Sequence, residues 1–394
     1  MLMSKSKDRE HFEDYREQTA VKHEILAAYL PAYFHILKAG NKNLLLIDGF
    51  AGRGTYTNST TGDSVDGSPL RAIKLIAETP AFHDKVSTIF IESDDVLFSQ
   101  LETTVGEFYA QHQEIRKPHC IHGTFAQRVG EVLSTVNGKL APTFLFVDPC
   151  GVSGASFDTI RAVMKCDKCE AFVFFNIDGV RRIAGLEKLS HVLIDLMGSQ
   201  PRAQKLYDAL RETDDTGKRE MLILSHYRAA LKEDIGADYI IPFRVEHEDK
   251  QKTSHYLIHV TKHPLGFRIM KDVMWKRGHD QDQSGGLLFV QSSRTNYIPL
   301  FDERGDAVKR EILEALKGGP QRVSIFYEDW SERPNDTSCE SAYRQTLLEL
   351  EAARKIEVLS KDCKNVVSVI ARKKWRGKPT LAEDYFVRLP TSKD

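Results

Sequence analysis

The sequence predicts an α/β protein with a mostly parallel main sheet, followed by a small helical unit that carries a basic β-ribbon. Short apolar runs alternate with amphipathic segments of helix length along the first half of the chain; the runs cover residues 43–48, 86–91, 143–147 and 171–177. Strands that are apolar throughout are typical of parallel sheets covered on both faces. Strict alternation of strand and helix therefore indicates a Rossmann-like sheet between two layers of helices.

Length and composition exclude several classes of protein. The chain has 394 residues, of which 41% are hydrophobic and 28% are charged. It can therefore form a sizeable core and more than one domain, unlike a disordered chain or a disulfide-rich miniprotein. The 55 Lys plus Arg residues balance 56 Asp plus Glu residues, so any nucleic-acid site must be a local basic patch.

Neither a targeting segment nor a membrane span is expected. Residues 1–17 are polar and charged, whereas a signal peptide has an apolar core, and no apolar run reaches transmembrane length. Cys166 and Cys169 are spaced like a chelating pair, but no second pair or suitably spaced histidine follows. We therefore expect a soluble cytoplasmic protein with free thiols, no metal and no membrane partner.

The chain begins with a helix over about residues 19–39, because apolar residues recur near helical spacing and Gly40 ends the pattern. The first buried strand follows and leads directly into Asp48-Gly49-Phe50-Ala51-Gly52-Arg53-Gly54. Glycines at this point let the backbone turn sharply and approach a ligand closely. Taken alone, the loop is a weak signal of a nucleotide-type site.

The second buried strand ends in Glu92 and Ser93. A carboxylate here can accept hydrogen bonds from both hydroxyls of a ribose. The spacing from Asp48 exceeds the roughly 20 residues of a compact dinucleotide fold, and the polar stretch over residues 57–66 accounts for the excess. Gly67-Ser68-Pro69 then predicts a helix start, with Ser68 as its cap.

Three more strand ends carry residues suited to binding. Gly123, Thr124 and Phe125 follow a short additional strand near residues 120–122, Asp148 follows the run over residues 143–147, and Asn176 lies at the end of the run over residues 171–177. The carboxyl ends of parallel strands are where open α/β sheets bind ligands, so the conjunction is stronger than any single motif. A phosphate-binding P-loop is absent, which makes an ATPase or GTPase an unfavourable hypothesis.

Residues 239–247 and 254–260 are rich in β-branched and aromatic residues and predict an antiparallel hairpin that closes the sheet edge. After a loop-like stretch, helices near residues 307–316 and 341–353 precede a two-stranded element. This order is that of a winged helix-turn-helix. We therefore predict a first domain over residues 15–300 and a winged helix over residues 305–392.

The predicted wing is strongly basic. It contains five cations within seven positions and one tryptophan; these residues are Arg372, Lys373, Lys374, Trp375, Arg376 and Lys378. Such a run can contact nucleic-acid phosphates, with the indole as a stacking surface. Two alternatives stay open, since the same run could be a solvated turn or a surface that docks a protein.

In combination, these motifs resemble a class I methyltransferase that uses S-adenosylmethionine (SAM), and more closely the three-Cys-motif partner (TcmP) family. The matching segments span nearly the whole chain: Lys22-His23-Glu24-Ile25-Leu26, Asp48-Gly49-Phe50-Ala51-Gly52, Gly67-Ser68-Pro69, Phe146-Val147-Asp148-Pro149-Cys150-Gly151, and Thr261-Lys262-His263-Pro264-Leu265-Gly266 leading to Met270 and Trp275. Cys150 departs from the pattern, because the family's aromatic residue is expected there. The cysteines in the family name belong to a genetically associated partner protein, which the resemblance implies as a partner of this chain.

The resemblance implies SAM as cofactor and a role for each strand end. Gly52 and Gly54 would meet the methionyl part, Glu92 would hold the ribose, and Gly123, Thr124 and Phe125 would flank the adenine. Asp148 would orient a nucleophilic amine or hydroxyl, and Asp48 would act through the SAM ammonium or an ordered water. The remaining implied contacts are Gly49, Phe50, Ala51 and Ser93 for the cofactor, and Asn176, Arg181 and Arg182 for the substrate. The alternative is that Asp48, Asp148 and Asn176 only stabilise turns after their strands.

The leading hypothesis is SAM-dependent methylation of a macromolecule, with an RNA or DNA base as the favoured substrate. Its rival is a catalytically silent scaffold of the same fold that binds nucleic acid or a partner protein. A third hypothesis is methylation of a peptide or small molecule, in which case the wing would serve docking alone.

Overall fold

The computed structural model describes residues 17–57, 62–186, 188, 190–247, 250–276, 278–281, 289–291, 303–333, 338–372, 374–375 and 378–391. The chain divides into two compact units, residues 1–266 and 267–394. None of the helices within these ranges is long and apolar enough to cross a membrane.

The boundary differs from the predicted one, which lies between residues 300 and 305. It falls inside the helix Pro264–Trp275, whose later residues bond to the C-terminal unit. Lys271 donates to the carbonyl of Ser331, and Asp272 accepts from the backbone and hydroxyl of Ser341. Trp275 packs against the core of the same unit, so most of this helix belongs there.

The first unit alternates strands and helices. Its helices are α1 (Glu17–Leu37), α2 (Ser68–Ala77), α3 (Asp95–Gln111), α4 (Phe125–Thr135), α5 (Phe157–Met164), α6 (Ile177–Ala184), α7 (His191–Met197), α8 (Gln200–Arg211) and α9 (Thr216–Ile235). Its strands are β1 (Leu44–Asp48), β2 (Thr55–Thr57), β3 (Ser64–Asp66), β4 (Val86–Glu92), β5 (His119–His122), β6 (Thr143–Val147), β7 (Glu170–Phe175), β8 (Tyr239–His247) and β9 (Lys250–Thr261).

Within this unit the strands of the large sheet lie in the order β8-β9-β7-β6-β1-β4-β5. The five strands from β7 to β5 are parallel, as the apolar runs predict. Every residue of β1, β6 and β7 is buried, because helices cover both faces. β9 runs antiparallel to both β7 and β8.

A buried carboxylate joins β9 to α1. Glu170, at the start of β7, accepts hydrogen bonds from the hydroxyls of Tyr29 at 2.5 Å and Thr261 at 2.9 Å. The ring of His259 lies 3.0 Å from the same carboxylate. Gly266 leaves room for it, because a Cβ there would lie 2.3 Å from a Glu170 oxygen. The buried carboxylate of Glu170 is therefore paired with three side chains, as burial of such a group requires.

The second unit begins within α10 (Pro264–Trp275) and is smaller. The later helices and strands are β10 (Gly278–Gln281), β11 (Phe289–Gln291), α11 (Glu303–Leu316), β12 (Gln321–Arg322), a π-helical turn (Ile325–Trp330), α12 (Glu340–Ala352), β13 (Glu357–Leu359), β14 (Lys374–Trp375), β15 (Lys378–Pro379) and β16 (Phe386–Arg388). β12, β16 and β13 form one small sheet, and β14 pairs with β15. Val308, Ile312 and Leu316 of α11 recur every fourth residue and pack into a shared core with Tyr327 and Tyr343.

Candidate functional site

The order of strands changes direction at β1. The chain places β4 and β5 on one side of β1, then returns to place β6 and β7 on the other. In open α/β sheets the ligand crevice lies at such a switch point, beyond the carboxyl ends of the strands. Asp48 and Glu92 end β1 and β4, and Asp148 directly follows β6, so the predicted carboxylates stand at this edge.

A cavity of about 510 Å³ opens at this edge, within the size range of small-molecule sites. Its walls combine two aromatic rings with hydroxyls, a thiol and carboxylates. The lining residues are Phe50, Glu92, Ser93, Asp94, Leu97, Thr124, Phe125, Ala126, Cys150, Ser153, Gly154, Ser156 and Asp195.

The cavity brings together only part of the predicted cofactor set. Phe50, Glu92, Ser93, Thr124 and Phe125 line it. The other predicted residues lie outside its lining; they are Asp48, Gly49, Ala51, Gly52, Gly54, Gly123 and Asp148. Several of the predicted strand ends therefore meet at this cavity, although most of the predicted cofactor residues do not line it.

The glycines of the first loop act mainly within the protein. Gly52 and Gly54 have φ angles of 61° and 85°, which favour glycine because a side chain there is strained. The carbonyl of Gly54 accepts a 2.8 Å bond from the N–H of Gly67. A Cβ on Gly49 would lie 2.5 Å from the ring of Phe125. These glycines permit a tight turn and close packing behind the cavity wall.

The carboxylate of Glu92 accepts more backbone hydrogen bonds than its predicted role as a ribose ligand allows. Its carboxylate accepts hydrogen bonds from three backbone N–H groups: Gly52 at 2.9 Å, Ser93 at 2.7 Å and Asp94 at 2.8 Å. An ionised carboxylate offers about four acceptor positions. Because most are taken, Glu92 positions the loops on either side of it, and little of the group is left for a ribose.

Asp94 is a cavity residue that sequence reasoning missed. Its Oδ1 accepts from the N–H groups of Val96 and Leu97 and caps α3, and the residue also lines the cavity. An aspartate between a strand and a helix is commonly a helix cap. In the sequence, only the position of Asp94 near Glu92 could have indicated that it lines the cavity. Asp195 of α7 also lines the cavity, and no motif surrounds it.

Asp48 is buried behind the cavity, with 2% of its surface exposed. It accepts hydrogen bonds from the hydroxyl of Ser68 at 2.6 Å and from the N–H of Phe50 at 3.1 Å. Burial raises the pKa of Asp48 to about 7, since the charged form is poorly solvated. The predicted capping role of Ser68 is wrong: Gly67 caps α2, and the serine hydroxyl bonds to Asp48 instead.

A buried ion pair holds the other predicted catalytic carboxylate. Nζ of Lys22 on α1 lies 2.5 Å from Oδ2 of Asp148, and the two side chains are only 8% and 10% exposed. The same ammonium lies 4.9 Å from the centre of the Phe174 ring. Lys22 belongs to a motif that carries the family resemblance, but its contact with Asp148 spans 126 residues, and no local pattern indicates it.

Two predicted substrate residues are engaged elsewhere. Asn176 caps α6, because its side-chain oxygen accepts from the N–H of Gly179 at 2.8 Å. Arg181 forms ion pairs with Asp178 and Glu220, and its side chain is 12% exposed. Both are therefore parts of the internal hydrogen-bond network, whereas Arg182 is exposed.

The predicted basic wing also needs a correction. Arg372 is buried, with its side chain paired to Glu351, so it cannot face a nucleic acid. Lys374, Trp375 and Lys378 lie in the β14–β15 pair, while Lys373 and Arg376 lie outside the described residues. On α12, Tyr343 is buried and Arg344 pairs with Glu340, so this helix presents little free positive charge. Among the described residues, no group of His, Cys, Asp and Glu is arranged to hold a metal ion.

No protein-family model and no curated protein matches the chain. A Legionella pneumophila protein of the DUF519 family has 12% identity and a TM-score of 0.40, covering 66% of this chain and 90% of its own. The putative methyltransferase yhhF from Escherichia coli has 12% identity and a TM-score of 0.28, covering 59% and 85%. An O-methyltransferase from Bacillus cereus in complex with SAH has 8% identity and a TM-score of 0.31, covering 64% and 83%. Likenesses this distant carry no argument about function.

Proposed function

We propose that the chain is a SAM-dependent methyltransferase of the class I type. The observation that carries the proposal is the cavity at the switch point of a parallel sheet, formed by the ends of β1, β4, β5 and β6. A glycine loop, an acidic strand end, an Asp-Pro motif and an antiparallel hairpin occur along the chain in the order that the TcmP resemblance implies.

The residues present fit such a cofactor. Phe50 and Phe125, whose ring centres lie 5.4 Å apart, offer apolar surface to an adenine. Asp94, whose Oδ1 caps α3, stands where its Oδ2 would accept a ribose hydroxyl, and Glu92 would hold the loops on either side of it in place. Three carboxylates on the wall, from Glu92, Asp94 and Asp195, suit a ligand that carries a sulfonium and an ammonium, because opposite charges attract.

The cofactor would supply an electrophilic methyl group, and the chain's part is to position and desolvate the acceptor. Asp148 would accept a hydrogen bond from the nucleophile and aim its lone pair. Lys22 would hold that carboxylate in place through their ion pair. Asp48, through Ser68 and Phe50, would hold the glycine loop in place. The geometry favours Asp148 over Asn176 in this role, since Asn176 is occupied as a helix cap.

We further propose that the second unit is a winged helix and that the substrate is a nucleic-acid base. The order α11, β12, π-helical turn, α12, β13 and β16 supports the first statement, and the basic β14–β15 ribbon supports the second. Since α12 has little free positive charge, the ribbon residues Lys374, Trp375 and Lys378 would carry the contact, together with Lys373 and Arg376, which neighbour them in the sequence. The genetically associated three-Cys-motif protein is the proposed protein partner.

The decisive experiment is transfer of radiolabelled methyl from SAM to fractionated RNA, DNA and protein from the native host. Label in the RNA or DNA fraction is expected. Label in the protein fraction alone would contradict a nucleic-acid substrate. SAM binding without label in any fraction would favour a catalytically silent scaffold, the rival function, whose motivating observation is that Asp148 already has a partner in Lys22.

A further inference from the structure

A fixed positive charge stands beside the proposed nucleophile site. The ammonium of Lys22 lies 2.5 Å from Asp148 and 4.9 Å from the ring centre of Phe174, in surroundings that expose less than a tenth of the lysine side chain. Phe174 also stacks on His255, with ring centres 4.2 Å apart. The ammonium is thus held between a carboxylate and an aromatic face, an arrangement that favours its charged form.

The titratable groups around Lys22 carry no excess of negative charge over its ammonium. Burial alone would lower the pKa of Lys22, but the Asp148 carboxylate outweighs burial and holds the pKa above its usual value. Burial raises the pKa of Asp48 to about 7, so that acid is only partly ionised near neutral pH. The other titratable groups that interact with Lys22 are Tyr56, His23 and Cys150. Burial raises the pKa of Tyr56 to about 12 and lowers the pKa of His23, which leaves both neutral. Lys22 and Asp148 are therefore paired one to one at this site.

We propose that Lys22 is a specificity-determining residue that selects an uncharged, planar nitrogen as methyl acceptor, such as the exocyclic amino group of a nucleobase, and rejects a protonated aliphatic amine. The inference rests on the proposed methyltransferase function. A protonated amine would place a second cation beside Lys22, where the Asp148 carboxylate is already paired, so the added charge would be desolvated without a counter-charge of its own. A nucleobase amine is neutral and needs only an acceptor. Lys22 bonds to Oδ2 of Asp148, so Oδ1 is the oxygen left to accept.

The reaction balances with SAM as the only co-reactant. The nitrogen lone pair forms the new N–C bond while the S–C bond breaks, and the electron pair of that bond returns to sulfur to give a neutral thioether. The extra proton on nitrogen leaves by way of Asp148 to solvent. A lysine ammonium has no lone pair and must lose a proton before it can attack, whereas a nucleobase amine loses its proton only after the N–C bond has formed.

The test uses the full chain, radiolabelled SAM and separate acceptor probes. Total RNA and sheared DNA present neutral nucleobase amines, whereas poly-L-lysine and spermidine present aliphatic ones. Transfer to a nucleobase probe is expected, with a rate that stays level between about pH 7 and about pH 9, because such amines do not titrate there. Transfer to an aliphatic amine would instead rise about tenfold per pH unit, as the neutral fraction does below its pKa.

Substitutions of Lys22 distinguish an effect of its charge on methyl transfer from an effect on folding. Lys22→Met should lower transfer to the nucleobase probe at least about tenfold, with SAM affinity unchanged, and Lys22→Arg should retain most of it. Lys42→Met is the matched control, because Lys42 is an exposed lysine just before β1 and should leave transfer unchanged. If Lys22→Met does not fold, the acceptor preference and pH profile of the unmodified protein still decide the question.

The possible results distinguish failure of the proposed specificity from failure of the proposed methyltransferase function. Methylation of poly-L-lysine or spermidine that rises with pH would overturn the specificity of Lys22 and leave the methyltransferase function standing. SAM binding without transfer to any of the probes also overturns the inference. Absence of SAM binding, measured separately by calorimetry, removes the proposed function and the inference with it.

Discussion

The carboxylate of Glu92 accepts a hydrogen bond from the backbone N–H of Gly52 at 2.9 Å. This bond joins the end of β4 to the glycine loop after β1, across 40 positions of the chain. The same carboxylate accepts from the N–H groups of Ser93 and Asp94, where α3 begins. One side chain therefore positions two loops at the cavity, and its loss should affect stability and ligand binding together.

Replacing Glu92 with Ala should weaken SAM binding at least about tenfold and lower the free energy of unfolding by about 2–4 kcal/mol, because several buried N–H groups lose their acceptor. Glu92→Gln keeps one acceptor oxygen and should cost less on both measures. Calorimetric titration with SAM and chemical denaturation check this. Glu107→Ala, an exposed glutamate on α3, is the control. Unchanged stability in Glu92→Ala would contradict the positioning role.

Removing Lys22 should destabilise the fold strongly, because it leaves the buried Asp148 carboxylate without its partner. We expect Lys22→Met to cost about 3–5 kcal/mol and the double variant Lys22→Met, Asp148→Asn to cost less than the sum of the single changes. Denaturant titration of the four proteins gives the coupling energy. The Lys74–Asp66 pair has the same 2.5 Å distance but 42% and 31% exposed side chains, so its coupling should stay below about 1 kcal/mol. Equal coupling in the two pairs would argue against this account.

Asp48 should make the protein less stable as pH rises through the weakly acidic range. Its pKa is raised to about 7 in the folded protein, whereas an unfolded aspartate titrates near pH 4. The folded state binds the extra proton, so its stabilising effect is present below about pH 4 and is lost by about pH 7, up to about 4 kcal/mol in all. Asp48→Asn should remove this dependence.

Melting temperatures of the unmodified protein and of Asp48→Asn, measured across that pH range, check the prediction. The unmodified protein should lose stability relative to the variant as pH rises. Asp238→Asn serves as the control, since the Asp238 side chain is 72% exposed. Parallel curves for the unmodified protein and Asp48→Asn would mean that Asp48 titrates normally.

The two parts of the basic C-terminal segment should respond differently to substitution. Arg372→Ala should lower the melting temperature, because it leaves the partly buried Glu351 without its partner, but should leave the salt dependence of RNA binding unchanged. Replacing Lys374 and Lys378 with Gln should reduce the slope of log K against log salt by about one for each phosphate that the ribbon no longer neutralises. Fluorescence titration with labelled RNA at several salt concentrations measures the salt dependence of binding for both sets of variants. A slope unaltered by the lysine changes would favour a protein-docking ribbon.

The parallel strands and the acidic residues at their carboxyl ends were predictable because their signals are local. β1, β6 and β7 are continuous apolar runs, and Asp48, Glu92 and Asp148 stand at or directly after strand ends in the sequence itself. The α12 helix likewise follows from its apolar spacing. Such patterns reflect burial of a whole element, which a linear sequence displays directly.

The contacts that decide the roles of side chains were not predictable in this way. Lys22 meets Asp148 across 126 residues, and whether Arg372 faces solvent or Glu351 depends on how the helix and ribbon pack. Asn176 and Asp94 occupy helix-cap positions, where an Asx residue can serve the backbone, a ligand or both. These choices depend on tertiary packing, and residue type alone does not distinguish them.

Isothermal titration of the purified full chain with SAM and with S-adenosylhomocysteine tests the central claim most directly. A cavity built from Phe50, Phe125, Glu92 and Asp94 should bind both with micromolar dissociation constants, on the order of −8 kcal/mol, and Asp94→Ala should weaken both. Heat from neither ligand would contradict the assignment of this crevice to the cofactor.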